Sequence, residues 1–114
     1  MSKFTVTIPD EIEDLTPSIR RFIDAMIYKL NRNAHKGKWE DLNTHTAFER
    51  LIGEVDELHE AILKKDNSVE TLLEAADVAN FALILANIAV EREDETPNPE
   101  SFKCKKVASV AKAS

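Results

Sequence analysis

Gly53-Glu54-Val55-Asp56-Glu57-Leu58 and Glu74-Ala75-Ala76-Asp77-Val78 each carry two carboxylates three residues apart. On a helix, side chains at i and i+3 leave the same face, roughly 5–6 Å apart at Cβ. Asp66-Asn67-Ser68 lies between them and reads as a turn, so the two stretches are expected on helices that fold back as an antiparallel hairpin. Four carboxylates then converge. Four unpaired anions repel, and a hard divalent cation is the usual resolution. Oxygen-only donors favour magnesium or manganese over zinc. Taken singly, either pair suits a solvated helix face. Jointly they say more, because the second pair borders the most apolar part of the chain, where an unpaired carboxylate is costly.

Working outward, the helix that carries Glu54 and Glu57 is expected to open at Thr46-x-x-Glu49, a capping box. Leu51, Ile52, Val55, Leu58 and Ile62 form its core stripe, and Glu54 and Glu57 flank that stripe. Ala61 lies on their side and lets another helix come close. Arg50 and Asp56 read as solvated, and His59 as a packed histidine beside the stripe. The next helix is expected from Asn67-x-x-Glu70, again a capping box, to about Glu93. Phe81 to Val90 is apolar nearly all round, which predicts a central buried helix. Ala75, Ala79, Ala82, Ala86 and Ala89 form a small-residue seam for close helix approach, within the bundle or across a dimer. Glu74, Asp77 and Asn80 form one polar row, and buried members of it need partners.

The earlier helix is expected to start with Thr16 as N-cap and Pro17 at the first helical position. Its apolar stripe is Ile19, Phe22, Ile23, Met26, Ile27 and Leu30; it fades at Asn31-Arg32-Asn33 and Gly37 stops it. His35-Lys36-Gly37-Lys38-Trp39 follows. Trp39 either covers one end of the core or offers a flat ring for a base, with Lys36 or Lys38 near phosphates. Residues 1–16 read as a lead-in arm. Phe4, Val6 and Ile8 alternate with threonines, which fits a short strand or an extended arm on the body or on another subunit. Residues 17–95 are the helical domain. Residues 96–114 are a tail, opened by Pro97-Asn98-Pro99 and rich in lysine, which is a short helix or a disordered end.

Composition sets the outer limits. The chain has 114 residues, 43% apolar and 32% charged, with two glycines and four prolines, which fits one folded, helix-rich domain. A net charge of −6 does not favour a nucleic-acid-binding surface, although a bound metal lets an acidic protein hold phosphates. One cysteine, Cys104, makes no intrachain disulfide, consistent with a reducing compartment. There is no basic-then-apolar leader pattern, and no apolar run approaches about 18 residues, so the expectation is a cytoplasmic protein without a membrane segment.

Glu54-x-x-Glu57, sixteen intervening residues, then Glu74-x-x-Asp77 resembles the metal motif of the MazG-like all-α nucleoside triphosphate pyrophosphohydrolases. The wording of residues 53–58 is also similar to that family's, and the resemblance covers roughly residues 18–92. It implies an all-α antiparallel bundle of four-helix type, assembled as a homodimer or homotetramer. It implies hydrolysis of a nucleoside triphosphate, ribo or deoxy, to the monophosphate and pyrophosphate. By match to the motif, Glu54, Glu57, Glu74 and Asp77 hold Mg²⁺ or Mn²⁺, and Glu54 or Glu57 serves as the catalytic base. His35, Lys36 and Trp39 are placed to hold substrate, without matching a fixed motif, and Asn80 is placed to hydrogen-bond sugar or phosphate. Two other readings exist. A di-iron carboxylate bundle needs Glu-x-x-His on two helices; Asp56-x-x-His59 is the nearest approach and has no second copy. A non-catalytic helical dimerisation or interaction module is the alternative function.

Overall fold

The computed structural model describes residues 2–34, 42–64 and 67–92. Three long α-helices dominate: α1, Thr16–Arg32; α2, Thr44–Lys64; and α3, Ser68–Arg92. A 3-10 segment, Asp10–Leu15, leads into α1. Among the described residues there is no strand, and residues 2–9 form an arm without regular secondary structure. The arm lies along α1, and Phe4, Val6 and Ile8 line one side of a groove of about 540 Å³ against Ile19, Ile23 and Ile27. His35, Lys36, Trp39 and the tail 96–114 lie outside the described residues.

The helix starts differ from the sequence expectation in two places. Thr16 does not cap α1 from outside. Its own backbone is helical (φ −51°, ψ −47°), because the 3-10 segment runs straight into α1. Its hydroxyl instead donates back to Glu13 O at 2.7 Å. Helix α2 begins at Thr44, before the expected Thr46-x-x-Glu49 box. Asn43 caps it, with Oδ1 accepting from Thr46 N at 2.7 Å. Asparagine competes well with threonine for this role, and Asn43 reaches the free N–H groups one turn earlier. Glu49 is spent differently, on His45 Nε2 at 2.9 Å, one turn back on an exposed face. Helix α3 starts as expected. Asn67 Oδ1 accepts from Val69 N at 2.9 Å and Glu70 N at 3.2 Å. Asn67→Ala is expected to cost about 1 kcal/mol of stability, the usual value of one side-chain cap, read as a lower urea midpoint at unchanged slope.

Helix α3 is the centre, with α1 and α2 both lying against it. Ala47, near the start of α2, sits with Ile84 and Ile88, near the end of α3. Arg92 Nη2 at the end of α3 also donates to Leu42 O, just before α2, at 2.7 Å. The α2–α3 pair is therefore antiparallel, as the short connection requires. The core is built from small residues: Ala25, Ala47, Ala61 and Ala76 are buried, with Ile84 and Ile88. Alanines let helix backbones approach closely, and that closeness brings side chains from different helices together at the site.

The same choice overturns parts of the expected core. On α2 the inward face is Ala47, Leu51, Glu54, Leu58 and Ala61, whereas Ile52, Val55 and Ile62 are exposed at 46%, 42% and 51%. His59, expected to be packed, is exposed on that outward face. Arg50 and Asp56 are solvated as expected. Helix α3 is not buried all round: Leu83 and Val90 are exposed, and so are Ala82, Ala86 and Ala89. By length and composition α3 is apolar enough to cross a bilayer, with a mean hydropathy of 1.6 over 18 residues. Averaging over 18 residues tolerates the polar interruptions that an uninterrupted run does not. Core helices of globular bundles can meet the same criterion; 28% of this window is buried in the structure.

Candidate metal centre

Glu54 and Glu57 project from α2, one turn apart, and Glu74 projects from α3. The antiparallel register sets these turns side by side. One carboxylate oxygen from each of the three lies within 4.8 Å of the others. Glu57 is exposed, while Glu54 and Glu74 are partly buried. Asp77, one turn along α3 from Glu74, forms an ion pair with Lys29 of α1, Nζ to Oδ2 at 3.1 Å. Both side chains are largely covered, at 19% and 13% exposure. Three of the four sequence-predicted ligands thus converge, and the fourth is held beside them by a lysine.

Lys29 was missed by the sequence reading. It sits among the polar positions of a helix whose apolar stripe drew attention, and nothing local marks it. Asn80 is also tied to α1. It is 5% exposed, and its Nδ2 donates to Met26 O at 3.1 Å across the α1–α3 interface. Its Oδ1 is buried without a hydrogen-bond partner among the described residues. One of the two amide N–H groups of Asn80 is therefore used between helices. The remaining predicted substrate contacts, His35, Lys36 and Trp39, lie outside the described residues.

No family model matches this chain. Neither does any curated protein or any solved structure. The chemistry of the site therefore has to be argued from its own residues.

The electrostatics are those of crowded anions. Burial, above all, pushes Glu54 up from 4.5 to about 7, and the negative charges of Glu57 and Asp77, a hydrogen bond with Glu57, and the charge of Glu74 add to it. Glu74 is also raised, first by burial, then by the charges of Asp77 and Glu57; Lys29 opposes the rise. Each cause disfavours a bare carboxylate, so the metal-free site holds its charge under strain. Two buried acceptors, Glu54 Oε2 and Glu74 Oε2, have no hydrogen-bond partner among the described residues. Leaving such atoms unmatched is unfavourable, and a cation is what two orphaned carboxylate oxygens lack. Oxygens around magnesium sit at about 2.0–2.1 Å from the ion, so neighbouring donors lie roughly 3–4 Å apart. A span of 4.8 Å is a small rotamer adjustment from that. The residues fit a hard divalent cation: all-oxygen donors, two helices to hold them, and orphaned lone pairs.

Proposed function

We propose that this chain is a MazG-like nucleoside triphosphate pyrophosphohydrolase that uses Mg²⁺ or Mn²⁺. The observation that carries the reading is the convergence of Glu54, Glu57 and Glu74 from two helices, with two buried oxygens that have no hydrogen-bond partner among the described residues. The motif spacing in the sequence points the same way. Glu54, Glu57, Glu74 and Asp77 are the residues that hold the cation. Magnesium, when bound, neutralises a triphosphate and makes water a better nucleophile at neutral pH. The chain's residues supply the rest. Glu54 or Glu57 takes the proton of the attacking water, within reach of the same cluster. Water adds to the α-phosphorus, the bond to the bridging oxygen breaks, and the products are a nucleoside monophosphate and pyrophosphate.

The bundle is completed to four-helix type and works as an oligomer. The stripe Phe48, Ile52, Val55 and Ile62 runs along α2 at helical spacing, and its members are 42–51% exposed. Leu83 of α3 adds to the exposed apolar surface. Such area on a small chain fits a buried contact better than open water. A second copy covers it. Ile52→Glu is expected to shift the protein toward monomer in sedimentation velocity, with Arg50→Glu, on the solvated face, leaving the assembly intact.

The decisive assay is pyrophosphate release from a panel of ribo- and deoxynucleoside triphosphates, with magnesium and with chelator. Magnesium-dependent release from one or a few nucleotides supports the reading and names the substrate class. A folded protein that releases none and binds no divalent metal is instead a helical interaction module, for which the exposed stripe on α2 is the working surface.

A further inference from the structure

We propose that Lys29 is the built-in counter-ion of the acidic cluster and a positioning residue that changes partner: it holds Asp77 in the metal-free protein and gives it up when a divalent cation loads, becoming free to take a phosphate oxygen. The inference rests on the metal-site reading above. Three observations carry it. Lys29 Nζ lies 3.1 Å from Asp77 Oδ2, and both side chains are largely shielded from water. Lys29 also acts on Glu74, where its charge opposes the rise caused by burial and by the neighbouring carboxylates. Asp77 in turn bears on both Glu54 and Glu74, so it stands at the edge of the cluster while tied to the lysine.

The energetics then link two binding events. A cation on Glu54, Glu57 and Glu74 competes with the ammonium for Asp77. If Asp77 goes to the cation, Lys29 is left charged at a site only 19% exposed. An unpaired, mostly buried ammonium is strongly unfavourable, so a new anion is needed beside it. The oxygens of a polyphosphate supply one. Lys29 therefore makes cation binding and polyphosphate binding mutually reinforcing, and by linkage each raises the affinity of the other by the same factor. A clamp that merely joined α1 to α3 would stabilise the fold without any such coupling.

The test is calorimetric, on the full chain, with magnesium alone, inorganic tripolyphosphate alone, and the two together. In the native protein tripolyphosphate is expected to tighten magnesium binding about 5–50-fold beyond the chelation seen without protein, in the range usual for coupled sites. In Lys29→Met, magnesium alone is expected to bind as tightly or several-fold more tightly, because its competitor is gone, and the coupling falls to near one. Asp77→Asn guards against a folding defect in the first variant. With Lys29 released, it is expected to bind tripolyphosphate in chelator several-fold more tightly than the native protein. Coupling unchanged in Lys29→Met, or tripolyphosphate affinity unchanged in Asp77→Asn, overturns the role of Lys29 and leaves the metal site standing. Absence of magnesium binding in the native protein overturns both.

Discussion

Glu54→Gln is expected to abolish magnesium-dependent pyrophosphate release, by at least about 10²-fold, and at the same time to stabilise the metal-free protein. The two effects share one cause. Glu54 is the carboxylate most raised by its surroundings, lying among Glu57, Asp77 and Glu74 and partly cut off from water. Its charge serves a cation and repels everything else there. The amide keeps the shape and removes the charge. The cluster then loses a donor and a candidate base, and removing a general base alone costs about 10²–10⁴ in rate. The repulsion goes as well, so the chelated variant is expected to melt above the native protein. Loss of activity with a raised melting temperature separates a disarmed site from a damaged fold. A variant that melts higher and still turns over at the native rate would remove Glu54 from the chemistry.

The second large effect is on stability against pH. An isolated glutamate has a value of 4.5, whereas Glu54 sits at about 7 in the folded protein, and Glu74 is raised too. Between those values the folded chain keeps a proton that the unfolded chain has lost. The contribution to stability is therefore complete below about 4.5 and is lost as pH rises through about 7. Taken at full linkage the Glu54 shift corresponds to roughly 3 kcal/mol, and partial exposure to water screens that to about 1–2 kcal/mol. In chelator, urea unfolding is expected to show a more stable protein at pH 5.5 than at pH 8. Magnesium at pH 8 is expected to restore the loss, since a ligand at a hundred times its dissociation constant adds about 2.7 kcal/mol. At pH 5.5 the same magnesium adds less, because protons compete for the carboxylates. Glu54→Gln should flatten the profile. A chelated protein equally stable at both pH values would mean that the three carboxylates are better solvated than their geometry implies.

The two predictions differ in what they require of the chain. Turnover requires every donor in register and an assembled substrate pocket. The pH profile requires only that Glu54 and Glu74 lie together at a partly dry helix interface. A protein that passes the second and fails the first has the carboxylate cluster without the turnover; the interaction-module reading requires in addition that no divalent metal binds.

Much of this was legible in the chain. Periodicity marked the three helices, and Asn67 announced the start of α3, because a side-chain cap acts within one turn. The paired carboxylates were legible because i, i+3 spacing fixes a shared face whatever else the chain does. The core of α2 was misread for a physical reason. That helix carries two adjacent stripes, Ala47, Leu51, Glu54, Leu58 and Ala61, and Phe48, Ile52, Val55 and Ile62. Hydrophobicity favours the second as core. Close approach to α3 favours the first, whose alanines are 0% and 5% exposed. A wheel shows both stripes and does not say which one a neighbour will choose.

Local sequence alone therefore determined the helices, the short connection between α2 and α3, and the two faces that carry Glu54, Glu57, Glu74 and Asp77. Tertiary structure decided which carboxylates meet, that Lys29 holds Asp77, and that one amide N–H of Asn80 goes to Met26. The division follows from range. Spacing along one helix is set by backbone geometry, whereas contacts between α1 and α3 depend on where two separately formed helices come to rest against each other.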